Sequence, residues 1–252
     1  MQSKSNIFNW ILYDFANSLV MIVFFLYFAQ WIVIDRGVSD LNFNLTFTVS
    51  AVMLLLTFPI TGTYLDRSWR RITGLRITTI TTALFYGICA WLSINNNNTG
   101  ALIFFTLGLY SYLLSFTFYT PLINDIAPPE RRGRVSGYGI AANYLGQITG
   151  LIIALPFSTG AISLFGGAAR AETLLPGVIG FLILSLPMLL FFKEPIKEKK
   201  EKIKLSEAIR ETFKETKFMI KFSSVGFFLL SYFLFNDAIL TAVNNFPFFL
   251  EQ

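Results

Sequence analysis

Trp10-Ile11-Leu12-Tyr13-Asp14-Phe15-Ala16-Asn17-Ser18 opens a run in which no charged residue follows Asp14 until Asp35. Twenty consecutive uncharged, mostly apolar residues are long enough to cross a bilayer as a helix. At roughly 100° per residue, Trp10, Tyr13, Asp14, Asn17 and Ser18 share one arc of roughly 140°. Polar groups so placed avoid lipid. The acid is therefore buried against protein, lines a water-filled path, or lies in the headgroup layer.

Working outward, composition places the chain in the membrane class. Of 252 residues 54% are apolar and 14% charged, and the mean hydropathy is +0.59; a soluble domain carries about a quarter charged residues. The 28 Phe residues suit lipid-facing helices. Cys89 is the single cysteine, so no intrachain disulfide forms. The chain has no His, which removes the commonest metal ligand and general base. No cofactor, metal or nucleic-acid partner is expected, and no catalytic residues. The N-terminus does not read as a cleavable signal, because its apolar run is too long and carries Asp14.

Seven runs have spanning length, near 10–34, 43–65, 72–94, 100–123, 135–157, 174–192 and 222–249. None alternates with period two, which excludes strands. The expected fold class is all-α, a polytopic helical bundle. Taking alternate loops, all but Arg36 and Arg170 of the 20 Lys and Arg fall on the side of the N-terminus. The positive-inside rule then predicts a cytoplasmic N-terminus, in the plasma (inner) membrane if the source is prokaryotic. Three domains follow: a six-helix bundle over 1–192, a basic cytoplasmic linker with an amphipathic helix over 193–221, and the first helix of a second bundle over 222–252.

The loops carry most of the remaining information. Between the second and third runs stands Gly62-Thr-Tyr-Leu-Asp66-Arg67-Ser-Trp-Arg70-Arg71. Gly62 permits close helix approach. Asp66 can cap the third helix or pair with an arginine, and the arginines anchor the turn among headgroups. The fourth run passes through Tyr119-Thr120-Pro121 to Asp125 and Pro128-Pro129. Pro121 should loosen that helix and the double proline end it. Asp125 is expected to pair with the arginines of its own loop, Arg131, Arg132 and Arg134. The fifth run begins Val135-Ser136-Gly137-Tyr-Gly139 and places Ala142, Gly146, Gly150 and Ala154 four apart, a groove for another backbone. The first part of the linker, Lys193 to Lys204, reads as solvated. Its second part places Leu205, Ile209, Thr212/Phe213, Thr216 and Ile220 at helical spacing, as in a helix on anionic lipid. In the seventh run Asp237 lies 16 residues past Lys221, on the order of 24 Å along a helix, with Thr241, Asn244 and Asn245 on the same stripe. Tyr232-x-Leu-Phe235-Asn236-Asp237 echoes Trp10-x-Leu-Tyr13-Asp14.

Gly62-x-x-x-Asp66-Arg67-x-x-Arg70-Arg71 resembles the loop signature of the major facilitator superfamily. In that family it forms a cytoplasmic latch between two six-helix halves, which implies latch roles for Gly62, Asp66, Arg67, Arg70 and Arg71. Trp10–Ser18, Phe118-Tyr119…Asp125-Ile-Ala127, Arg134-Val-Ser136-Gly-Tyr-Gly139 with Tyr144-Leu-Gly146, and Phe235-Asn236-Asp237…Thr241 are similar to motifs of the vacuolar amino-acid effluxer-like branch, named for an autophagy-related protein. Thr120, Asn124 and Ala238 depart from that branch's Asn, Pro and Gly.

The resemblance implies a secondary transporter working by alternating access, with the bilayer, a small solute, amino acids among the candidates, and protons as partners. Asp14, Asn17, Tyr13, Asp237, Asn236 and Thr241 would line the path. Tyr119, Asp125, Arg134, Ser136 and Gly139 would form a gate between the fourth and fifth helices, and Gly146 and Gly150 would pack helices. About twelve helices are usual, so the chain reads as a fragment or as one part completed by a second half or second subunit. The alternative is a non-transporting scaffold or sensor using the basic linker. A receptor-like seven-helix protein has the wrong orientation, and an enzyme lacks a close pair of catalytic groups.

Overall fold

The computed structural model describes residues 4–59, 61, 70–195, 205–221 and 223–249, all in helices or the turns between them. Among these residues there is no strand. We label the helices α1 (Lys4–Asp35), α2 (Asp40–Pro59), α3 (Arg71–Ile94), α4 (Asn98–Ile126), α5 (Pro129–Ser158), α6 (Ala169–Phe191), α7 (Leu205–Lys221) and α8 (Ser223–Phe249). Among the described residues, α1 to α6 are long and apolar enough to cross a membrane, and Ser224–Asn236 of α8 is a shorter apolar stretch. Contacts divide the chain into two units: Met1–Leu54 with Arg70–Lys197, and Leu55–Trp69 with Glu198–Gln252.

Within the first unit α3 packs along α4, α1 along both α5 and α6, and α6 returns to α3. The outward faces of α5 and α6 leave Ile152, Leu155, Ile183 and Leu190 exposed. Aliphatic side chains so abundant on the surface belong against lipid.

Local chemistry sets the helix ends. α5 starts at Pro129, six residues before the expected 135, with Pro128 extended at ψ 155°. Proline suits a first helical turn, where its missing N–H would have had no partner. The double proline thus ends α4 and also starts α5. Pro121 tightens α4 into a 3-10 turn over Thr120–Leu122. Asn97 caps α4 by accepting the Gly100 N–H at 2.9 Å. α1 widens into π-helical turns at Phe24–Phe28 and Trp31–Asp35, departures that need tertiary support. Support comes from rings: Phe24 stacks on Tyr86 at 4.0 Å, and Phe28 lies 4.7 Å from Phe105. Tyr86 in turn covers Gly108, where a Cβ would strike its ring.

At the Asp35 end of this unit, polar groups tie the turns together. Arg170 pairs with Asp35 at 2.5 Å, and the Arg36 guanidinium donates to Asn98 Oδ1 at 2.9 Å. Glu172 is 1% exposed and gathers the preceding loop. Its carboxylate accepts from the backbone N–H groups of Leu164, Phe165 and Gly167 at 2.5, 3.2 and 2.7 Å, and from the Ser163 hydroxyl at 3.0 Å. These four bonds replace the water a buried carboxylate has lost.

In the second unit α7 and α8 are separated by Phe222 alone. Ile209, Phe213 and Phe218 on α7 are exposed.

Candidate functional site

The arc read on α1 faces protein. Trp10, Tyr13, Asn17 and Ser18 are buried and Asp14 is half-buried. Tyr13, fully enclosed, reaches Thr79 on α3 with an oxygen–oxygen distance of 2.7 Å. The Thr79 hydroxyl donates to Leu75 O at 2.7 Å, so the Tyr13 O–H is the donor to Thr79. Ser18 donates to the Asp14 carbonyl at 3.0 Å. Asn17 is 1% exposed; its amide stands near the Tyr13 hydroxyl, but neither amide atom makes a hydrogen bond of good geometry.

Tyr119 closes this cluster from α4. Its hydroxyl donates to Trp10 O at 2.9 Å, and Trp10 Nε1 donates to Tyr119 O at 3.4 Å. The two rings stack at 4.8 Å and 9°, while Tyr13 lies 5.0 Å from Tyr119. The Asp14 carboxylate is within electrostatic reach of Tyr13, Tyr112 and Tyr119. Ser115 on α4 stands beside the Tyr13 hydroxyl. One carboxylate, three phenols, two small hydroxyls and one amide thus converge from α1, α3 and α4. Such a group can hold a proton or cation at Asp14 and offer both donor and acceptor at Asn17.

α5 forms the wall behind α1. A Cβ on Gly139 would lie 2.8 Å from the Trp10 ring and 3.1 Å from Asp14 Oδ2. On Gly150 it would meet Leu19 O at 2.7 Å, and on Gly146 it would overlap Phe15 O. Glycine lets the two backbones approach this closely, fixing Asp14 against α5.

A second polar group gathers at the Asn6 end. Asp125 on α4 pairs with Arg71 on α3 at 3.9 Å. Of the loop arginines, Arg132 donates to Ala127 O at 3.2 Å and Arg134 donates to the Tyr138 hydroxyl at 2.8 Å. Arg71, from α3, was not among the arginines expected at Asp125. Glu194 is 8% exposed, which corrects the reading of Lys193 to Lys204 as solvated at its second residue, Lys193 being exposed and residues 196–204 lying outside the described residues. Its carboxylate accepts from the N–H groups of Arg71 and Ile72 at 3.2 and 3.0 Å, capping α3. Arg70 donates to Glu194 O at 2.7 Å. Asn6 and Lys193 exchange two bonds, at 2.9 and 3.2 Å, and Arg76 donates to Leu189 O at 2.6 Å. The end of α6 is thereby fastened to the starts of α1 and α3. Ser136 is half-buried on α5.

Gly62, Asp66 and Arg67 lie outside the described residues. Asn236, Asp237 and Thr241 belong to α8, in the second unit. Asn236 Nδ2 donates to Tyr232 O at 2.9 Å and Thr241 is exposed, while the Asp237 side chain lies outside the described residues. Sequence reasoning missed Thr79, Tyr112 and Ser115, although the paired threonines Thr78-Thr79 and Thr81-Thr82 on α3 were a visible signal. It also missed Glu172 and the cap formed by Glu194.

Comparison with known proteins agrees with this architecture. A family model described as Major Facilitator Superfamily matches residues 15–252. An uncharacterized MFS-type transporter of Bacillus subtilis (strain 168), YxiO, is 25% identical over 261 aligned positions, covering 93% of this chain. The chain spans 58% of that relative's length. No solved structure matches. From the extent of the family match, the chain belongs to the major facilitator superfamily.

Proposed function

We propose that the chain carries one half, and the start of the other, of a secondary transporter that moves a small solute by alternating access. The observation that carries this reading is the polar face of α1. Asn17 offers a buried amide that makes no geometrically good hydrogen bond, within reach of the Tyr13 hydroxyl and beside Asp14 and three phenols. Buried polar groups are ordinarily satisfied, so an amide in this state serves water or a solute that comes and goes. A carboxylate deep in a membrane helix costs a few kcal/mol unless it has such a use. Family membership supplies the mechanism class.

In this reading Asp14, Tyr13 and Asn17 line the solute or proton path, and the resemblance assigns Asn236, Asp237 and Thr241 of α8 to the same role. Protons are the coupling ion, exchanged at one or both acids. Amino acids are the solute class favoured by the resemblance to the vacuolar effluxer-like branch. Tyr119, Asp125, Arg134, Ser136 and Gly139 act as a gate, with Tyr119 latched to the α1 backbone at Trp10. Gly146 and Gly150 hold the α1–α5 contact on which the gate turns. Gly62, Asp66, Arg67, Arg70 and Arg71 form the latch. Residues 1–192 form the first bundle, 193–221 the linker and 222–252 the start of a second bundle, which further sequence or a second subunit completes. The distribution of basic residues favours a cytoplasmic N-terminus, and the membrane is the plasma (inner) membrane if the source is prokaryotic.

The test is proton flux in proteoliposomes that carry a pH-sensitive dye inside. A panel of amino acids and other small solutes is added outside under an imposed pH gradient. Wild-type protein should show solute-dependent proton movement, and Asp14→Asn and Asp237→Asn should each abolish it while still inserting. Normal flux in both variants would remove proton coupling at these acids.

A further inference from the structure

We propose that α7 is a lipid-reading helix that lies on an anionic bilayer surface, with one of its two charged flanks turned toward the headgroups. The charges of α7 are sorted by face. On a helical wheel Leu205, Ile209, Phe213 and Ile220 fall within roughly 80°. Arg210, Lys214, Lys217 and Lys221 occupy roughly 60° next to Phe213, and Glu207, Glu211 and Glu215 occupy roughly 80° beyond them. Glu207 and Arg210, and Glu211 and Lys214, stand three residues apart, so the acidic and basic arcs meet along one edge while the outer edge of the basic arc adjoins the apolar face. Ile209 and Phe213 are exposed, as are Arg210, Lys214 and Lys217. Phe218 stands in the acidic arc and is exposed too.

Tethering and charge identify what covers the apolar face. α7 is joined to α6 by the short stretch 192–204 and to α8 by Phe222 alone. α6 is of membrane-spanning length, and α8 presents Phe227, Phe228, Phe233 and Leu234 outward. Its one-residue link to the apolar start of α8 keeps α7 within reach of the bilayer surface. There its apolar arc enters the acyl boundary and its long basic side chains reach phosphate. The acidic flank sets the roll. Repulsion from anionic headgroups turns Glu207 and Glu211 toward water and lowers Arg210, Lys214 and Lys217 to the lipid. Neutral lipid gives no such torque, so docking depends on lipid charge.

The whole chain in nanodiscs tests this. Cys89 is fully buried, so Phe213→Cys can be labelled selectively with an environment-sensitive fluorophore. Discs of phosphatidylcholine alone are compared with discs containing phosphatidylglycerol, each with and without spin-labelled lipid as quencher. In anionic discs the label should shift to shorter wavelength and be quenched; in neutral discs both effects should shrink several-fold. Each of Arg210→Gln, Lys214→Gln and Lys217→Gln should lower the docked-to-undocked ratio by about fivefold, the ratio equivalent to about 1 kcal/mol per basic group at an anionic surface. Glu207→Gln should not lower it. Equal quenching in both compositions would overturn the proposal, as would a label that stays in water. A label shielded from both water and lipid quencher would also overturn it, because a protein surface would then be the occupant. None of these readouts depends on transport.

Discussion

Replacing Gly146 by alanine should separate α1 from α5, and its cost can be set against a control in the same helix. A Cβ at position 146 would overlap the Phe15 carbonyl oxygen and lie 3.0 Å from Phe15 C and 3.2 Å from its Cα. All three contacts are backbone, so no side chain can rotate away. At Gly137, two and a half turns earlier, nothing lies within 4 Å of the same atom. Alanine at either site gains about 0.8–1 kcal/mol of helix propensity over glycine, and that gain cancels in the comparison. The difference is the over-packing cost, about 1–3 kcal/mol. At about 2–4 °C per kcal/mol for a domain of this size, Gly146→Ala should melt about 2–12 °C below Gly137→Ala. The chain carries its own reporter: Cys89 is its single cysteine and is fully buried. A dye that fluoresces on reacting with thiols therefore reads unfolding in detergent or nanodiscs without further engineering. If Gly146→Ala melts at or above Gly137→Ala, the two backbones are not in contact there, and the wall behind Asp14 has been misplaced.

Three other outcomes follow from the same contacts. Glu194→Ala removes the acceptor for the Arg71 and Ile72 N–H groups; it should cost about 1–2 kcal/mol, the scale of a lost helix cap, and speed hydrogen exchange in the first turn of α3. Glu172→Ala leaves three backbone donors and the Ser163 hydroxyl without their acceptor; a loss of about 2–3 kcal/mol is expected for bonds to a charged group, with faster proteolysis between residues 159 and 168. Tyr13→Phe should cost only about 0.5–1.5 kcal/mol in the thiol-reactive melting assay, because Thr79 keeps its own bond to Leu75 O.

Much of the fold was legible because bilayer physics writes helices as uninterrupted apolar runs. α3, from Arg71 to Ile94, lies within a residue of its expected start and ends at the expected position. The α5 boundary shifted because Pro128-Pro129 reads as a stop in sequence, while proline also suits a first turn. The polar arc of α1 was visible from spacing alone. Its neighbours were not: Thr79 and Ser115 are ordinary helix hydroxyls until α3 and α4 are brought to Tyr13. Glu194 was hidden for a related reason. It opens a charged run that looks solvated, and the N–H groups it caps are more than 120 residues away in the chain. Helix caps supplied from a distant segment leave no local pattern to read.

On the proposed function, the polar face of α1 lines a water-accessible path rather than a sealed core. Asn17→Cys tests it most directly, with Cys89 as the internal standard for a sealed thiol. In proteoliposomes the thiol introduced at position 17 should react with a small, charged, membrane-impermeant methanethiosulfonate far faster than Cys89, and transported solute should slow the reaction. If it reacts no faster than Cys89 under every gradient applied, Asn17 belongs to a closed core and the path does not run along α1.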